Sequence, residues 1–172
     1  MNKMAINITD KTVQTIQLLT HDAFNTNSIL DRIKTILMTN LACPNASNMV
    51  HKVAHMYSLD MADGIGDLIE GYNEPIEYGG IVKHVEEYMS VVDAFDTLMD
   101  TAITFQNELN MGAKIAFENG DIHIYQELLE IIEKHNKIVV ATIAWKDIAD
   151  KFGTHPSFDT AITSYGVPNL ED

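Results

Sequence analysis

An all-α fold, four long helices packed as one bundle, is what this sequence predicts. Three observations carry the expectation. The four prolines (Pro44, Pro75, Pro156 and Pro168) sit where other helix breakers cluster and leave long segments uninterrupted. Within those segments apolar residues recur at three- and four-residue spacing, the period of a helix with one buried stripe. No alternation of period two competes with it, and no internal repeat or low-complexity run is present. A chain of 172 residues, 46% of them hydrophobic, suffices for a single domain with a sizeable core, which excludes global disorder.

The elements follow in order. Thr9-Asp10 supplies an N-cap for a first helix to about Met38, with Val13, Ile16, Leu19, Ala23, Ile29, Leu30, Ile33, Ile36 and Leu37 at apolar positions. Asn25-Thr26-Asn27-Ser28 is a poor helix former and leaves room for a kink or a break there. Asn40 to Asn48, containing Cys43-Pro44-Asn45, reads as a turn, and Ser47 or Asn48 caps a second helix to about Gly71. Gly71-Tyr72-Asn73-Glu74-Pro75 and Gly79-Gly80 then make a loop, followed by a short amphipathic helix from Ile81 to about Met89. The third long helix spans Val91 to about Phe117. Asn119-Gly120-Asp121 is a stop and restart, glycine closing one helix and aspartate opening the next. A fourth helix covers Ile122 to about Phe152, so residues 1–152 form the bundle and 153–172, rich in Gly, Pro, Ser and Thr, a C-terminal tail. The second-to-third connection is long enough for a crossover, a pattern of ferritin-like bundles more than of simple up-down ones.

Charge narrows the function. Lys and Arg number 11 against 25 Asp and Glu, a formal net charge of −14. That balance repels nucleic acid and anionic membrane and attracts cations. No stretch reaches the roughly 18 apolar residues of a membrane span, and no charged-then-apolar signal opens the chain, so a cytoplasmic location is expected. The single cysteine, Cys43, excludes an internal disulfide and a cysteine-cluster metal site, which fits a reducing compartment. Glycine-rich phosphate loops and nucleophile elbows are absent.

The chemistry concentrates on the second helix. His51 and His55 are four apart, so their rings project about 40° from one another at roughly 100° per residue, a spacing that lets two imidazoles share one ion. Asp60, Asp63, Asp67 and Glu70 step by 3, 4 and 3 into a carboxylate stripe with no base at i+4. Oxygen donors suit hard divalent cations and imidazole suits iron and zinc, so the mixed set matches a non-haem iron site. The same residues also make a solvated acidic face with two surface histidines, and spacing alone leaves both readings open. Gly64 and Gly66 inside this helix ask for a close approach to its backbone, by a second copy of the helix for instance, or for a local break. His21, His84, His123, His135 and His155 each lack a carboxylate at a spacing that demands a site and read as structural or surface residues.

The run from Gly120-Asp121 to Glu133-Lys134-His135 resembles the fourth-helix opening of the Dps family of mini-ferritins. The block from Thr39 to Glu70, with Pro44-Asn45 in the turn and His51 after it, resembles that family's second helix, and the helix expected after Gly79-Gly80 its small crossover helix. The similarity covers about residues 30–150, in pattern more than identity. It implies a ferritin-like four-helix bundle with a short extra helix in the crossover. It also implies a ferroxidase centre between two chains, one giving two His and an Asp, its partner an Asp and a Glu. Carried over by spacing, the first His falls on Thr39, a departure; the second falls on His51; the first Asp falls on His55, which is still a ligand type. The Glu falls on Glu70 and the other Asp on Gly66, flanked by Asp63 and Asp67. The resemblance thus implies metal ligands among His51, His55, Asp63, Asp67 and Glu70.

Fe(II) is then the implied substrate, with Zn(II) a competitor. Hydrogen peroxide, or dioxygen more slowly, oxidises it, and Fe(III) is stored inside a self-assembled shell of twelve chains that protects against oxidative stress. Asp121, Glu127 and Glu130 are candidates to line pores. The alternative on the same bundle is a non-catalytic shell or divalent-metal-binding protein with a degenerate site. Many relatives bind DNA through a lysine-rich tail, but the first twelve residues here hold only Lys3 and Lys11 and the sequence closes on Glu171-Asp172, so no DNA binding is expected.

Overall fold

A computed structural model of the chain describes residues 7–72, 74–77, 79–80 and 82–171. The regular structure among those residues is all helical, with no strand. Helix α1 (Asp10–Thr39) opens on Thr9, whose side chain accepts from the Thr12 N–H. It runs unbroken through Asn25–Ser28, so the expected kink does not occur. Packing overrides the weak local propensity: Ala23, Thr26 and Leu30 are all buried there. The second long helix starts earlier than expected, at Pro44, where a proline in the first turn forfeits only an N–H that had no partner. It comprises α2 (Pro44–His55), a π-helical stretch (Met56–Ala62) and α3 (Asp63–Glu70). Helix α4 (Val91–Glu118) is capped by Ser90, and Gly120, with φ 78°, makes the left-handed turn into α5 (Ile122–Phe152).

The extra helix expected from Ile81 to Met89 is not formed: residues 82–89 carry no helix, and Ile81 itself lies outside the described residues. Its apolar spacing was real, but Val82, Val85 and Met89 find no surface to cover and stay exposed. Side chains of α1 hold the crossover instead. Gln17 donates to the Pro75 carbonyl (3.2 Å), His21 Nε2 to that of Gly80 (3.1 Å), and Arg32 Nε to that of Glu86 (2.9 Å). The close approach expected at the glycines is made from this side. A Cβ on Gly66 would meet Ile76 of the crossover at 2.6 Å, whereas Gly64 has nothing within 4 Å, and no break occurs at either.

Residues 153–171 fold back on the bundle. Helix α6 (Phe158–Ala161) buries Phe158, and the turn after it buries Ile162; Leu170 is buried further on. Asp159 accepts from the N–H groups of Asn45 (3.0 Å) and Ala46 (2.9 Å), capping the α2 N-terminus that Cys43 leaves without a side-chain cap. The core runs the length of the bundle, with Trp145, Tyr57, Phe95 and Phe105 its largest fully buried side chains.

Candidate metal centre

Ferritin-like carboxylate centres place inward-pointing Glu and Glu-x-x-His residues in the middle of the bundle. Here that middle contains no acid: among the described residues the buried polar side chains are Thr12, Thr20, Thr26, Ser47, His135 and Thr142. Three neutral groups occupy the centre instead. Tyr57, on the π-helical stretch, lies 2.7 Å from His135 Nε2, and His135 Nδ1 meets the Gln106 side-chain oxygen. Burial holds the His135 imidazole down at about 3 and pushes the Tyr57 phenol well above its usual range, so both are neutral near pH 7. Phe105 packs edge-on against both rings, at 5.4 and 5.1 Å between centroids. A centre so dry and so poor in charge has nothing with which to hold a cation.

The histidine pair lies on the outside. His51 and His55 project from α2 with their Nε2 atoms 3.2 Å apart and their rings edge-on at 4.4 Å. Two imidazoles bound to one ion at about 2.0–2.1 Å, with tetrahedral or octahedral angles, hold their nitrogens about 3.0–3.4 Å apart. The pair is thus spaced for a shared ion, and a shared proton fits the same gap. His51 Nδ1 is sheltered from solvent and has no hydrogen-bond partner; the nearest acid, Asp31 on α1, is 3.9 Å away and also pairs with Lys34 at 3.2 Å.

Asp31 is the residue that sequence reasoning missed. The family pattern put the α1 ligand at Thr39, but α1 and α2 run antiparallel, and Thr39 lies eight residues, or about 12 Å, farther along α1. The Thr39 hydroxyl is spent on the Thr35 carbonyl (2.8 Å) and the Asn40 side chain. No sequence spacing announces a contact between Asp31 and His51; it follows from the α1–α2 turn.

Asp63, Asp67 and Glu70 are exposed and remote from the pair, roughly 18–28 Å along the helix axis from His51 at 1.5 Å per residue. The π-helical stretch, with its wider i to i+5 bonding, turns the stripe relative to the histidines. Asp60, Asp63 and Asp67 line a groove of about 390 Å³ with Glu127, Glu130 and Lys134 of α5 and with Glu171, while Glu70 lies beyond it. Among the described residues, no three His, Cys, Asp or Glu side chains of the chain converge to hold one ion. The five expected ligands therefore form two separate sets. Of the acids expected at pores, Glu127 faces His123 at 3.8 Å and Glu130 the groove, but the Asp121 carboxylate accepts from the Thr9 hydroxyl (2.6 Å) and N–H and joins the first helix to the fourth.

No family model and no curated protein matches this chain. No described helix is long and apolar enough to cross a membrane. Among solved structures the chain is similar to an open pore ferritin from the hyperthermophilic archaeon Archaeoglobus fulgidus, with a TM-score of 0.82, 11% sequence identity, and coverage of 95% of this chain and 100% of that one. So low an identity speaks to architecture alone: the chain has the ferritin-like helical-bundle fold.

Proposed function

We propose that the protein oxidises and stores iron as a divergent mini-ferritin of the Dps type, with its chemistry at the outer face of the bundle. The observation that carries this reading is the His51–His55 pair, a half-buried and an exposed imidazole with a ligand-like separation of 3.2 Å beside a carboxylate, on a ferritin-like bundle whose centre is empty of acid. His51 and His55 bind Fe(II), and Asp31 supplies negative charge close to it. Asp63, Asp67 and Glu70 cannot reach that ion within one chain, so they complete the site from a second copy packed antiparallel across this face. Carboxylates added to imidazoles favour the ferric over the ferrous ion, which lowers the cost of oxidation by hydrogen peroxide or dioxygen. The Fe(III) product is stored in the cavity of a homo-oligomeric shell, twelve chains on the Dps pattern, in the cytoplasm. The surplus of acid over base draws cations toward it and keeps DNA away.

Fe(II) and hydrogen peroxide are mixed with wild-type protein and with His51→Ala, and the near-ultraviolet absorbance of ferric species is followed. The wild type accelerates its appearance over the protein-free control and the variant loses most of the gain. Coincident curves for all three would defeat the reading. Metal analysis of purified protein, with a zinc competition titration, would then separate a non-catalytic divalent-metal binder from an empty shell.

A further inference from the structure

Between α1 and α4 lies a cavity of about 340 Å³ that contains none of the residues expected to bind iron. The two helices run antiparallel there. Thr15 and Leu19 stand against Gly112, and farther along α1 the Asp22 charge bears on Glu108, which comes earlier on α4. On α4, Asp100, Thr104 and Glu108 follow at one-turn steps, which sets the two acids at opposite ends of the cavity, roughly 12 Å apart at 1.5 Å per residue. On α1, Asp22 comes to the Glu108 end, and Thr26, one turn on, to the middle. Among the described residues no Lys or Arg lines the cavity, and neither Asp100 nor Glu108 has an ion-pair partner. Burial and the charge of Asp22 push the Glu108 carboxyl above its usual range. Two acids that oppose each other across a half-buried gap are relieved by a cation set between them.

Thr26 points to the kind of cation. Thr15, Thr20, Thr35 and Thr39 of α1 each spend their hydroxyl on the carbonyl four residues back. The Thr26 hydroxyl does not. Thr26 is only 5% exposed, lines the cavity, and has no hydrogen-bond partner among the described residues. A buried hydroxyl left unpaired by its own helix calls for a polar partner from the cavity it opens onto. Phe105 and Ile29 supply apolar wall beside it. A single metal ion does not suit this arrangement. The carboxylates are spread along the cavity, and among the described residues no three His, Cys, Asp or Glu side chains converge on one point. A chain of methylenes with an ammonium at each end and another between them does suit it.

We propose that this cavity binds a linear aliphatic triamine, with one terminal ammonium between Asp22 and Glu108, the other at Asp100, and the central secondary ammonium donating to the Thr26 hydroxyl. An extended triamine with three and four methylenes between its nitrogens spans about 10 Å end to end, which with an ion-pair contact at each end matches the spacing of the acids. Its methylenes lie along Phe105 and Ile29, out of water. Nothing in this binding requires iron.

Spermidine titrated by calorimetry into the iron-free full chain, at about 0.15 M salt, tests this. One spermidine per chain is expected. Asp22→Asn with Asp100→Asn should weaken binding by about a hundredfold. Glu130→Gln with Glu133→Gln, which removes as much charge from exposed sites on α5, should leave it unchanged. Thr26→Val should weaken spermidine by about tenfold, and leave unchanged the diamine of equal length that lacks the central nitrogen. In wild-type protein, nuclear Overhauser contacts are expected from the spermidine methylenes to the Phe105 ring and the Ile29 methyls, a readout that depends on no variant's folding. Equal weakening by the two charge-removing pairs would reduce the binding to general attraction by an acidic surface and overturn the proposal. So would an equal loss for both amines in Thr26→Val, contacts to other rings in place of Phe105, or displacement of spermidine by an equal concentration of Mg(II).

Discussion

The centre of the bundle and the outer face of its second helix hold the same chemical vocabulary in opposite settings. In the centre, one histidine is sealed against a phenol and an amide, neutral and fully hydrogen-bonded. On the face, two histidines turn their nitrogens toward one another in the open, with a carboxylate nearby. Fewer than ten residues of one helix join the two places. A side chain in the centre is closed off from ions in solution, and one on the face is open to them. Stability rests on the one set and the proposed binding of iron on the other, so the two can be perturbed separately.

The strongest way to break that separation is at His135. His135→Leu leaves the buried Tyr57 hydroxyl unpaired and takes the partner from the part-buried Gln106 oxygen, and should cost roughly 2–5 kcal/mol in urea unfolding. Initial rates of ferrous oxidation, measured on folded protein, should hold. Acid probes the same residue without mutation. In the folded chain its imidazole is held down at about 3, against about 6.5 when unfolded. The unfolded chain thus binds a proton that the folded one refuses. The stability from neutral His135 is complete above about pH 6.5 and drains away as pH falls toward 3, by up to about 1.4 kcal/mol per unit. Urea midpoints down to about pH 5, compared with those of His135→Gln, isolate this contribution, and parallel curves for the two proteins would refute it.

Smaller effects belong to the second helix. Gly64→Ala adds a methyl where nothing stands within 4 Å, so it should raise stability by about 0.5–1 kcal/mol, read as a higher Tm. Asp63→Asn with Asp67→Asn removes two exposed charges and should move stability by less than about 0.5 kcal/mol. The same pair should slow ferrous oxidation; an unchanged rate would remove these carboxylates from the site and leave the histidine pair with Asp31.

The four long helices were legible because their ends are written in local chemistry: Thr9 before the first, Ser90 before the third, Gly120 between the third and fourth. The crossover was misread because apolar spacing promises a helix only when a surface is waiting to bury it. There the side chains of α1 hold the described residues in a non-helical path instead. The contact between His51 and His55 was visible from their spacing, since four residues make one turn. Asp31 beside His51 and the Tyr57–His135 pair were not visible. They join residues 20 and 78 apart, and only the folded antiparallel packing brings such positions together. The turn that the π-helical stretch puts into the carboxylate stripe was equally hidden, because sequence carries no mark of a widened helical turn.

The way α1 grips the crossover has a further consequence. Gln17, His21 and Arg32 take hold of main-chain carbonyls, at Pro75, Gly80 and Glu86, and every residue type carries a carbonyl. The path of this segment is therefore insured against its own sequence: outward-facing positions such as Val82 and Val85 are free to be rewritten while the track beneath them stays put. A region of that kind can acquire new binding partners in evolution, or in the laboratory, without the bundle having to be redesigned.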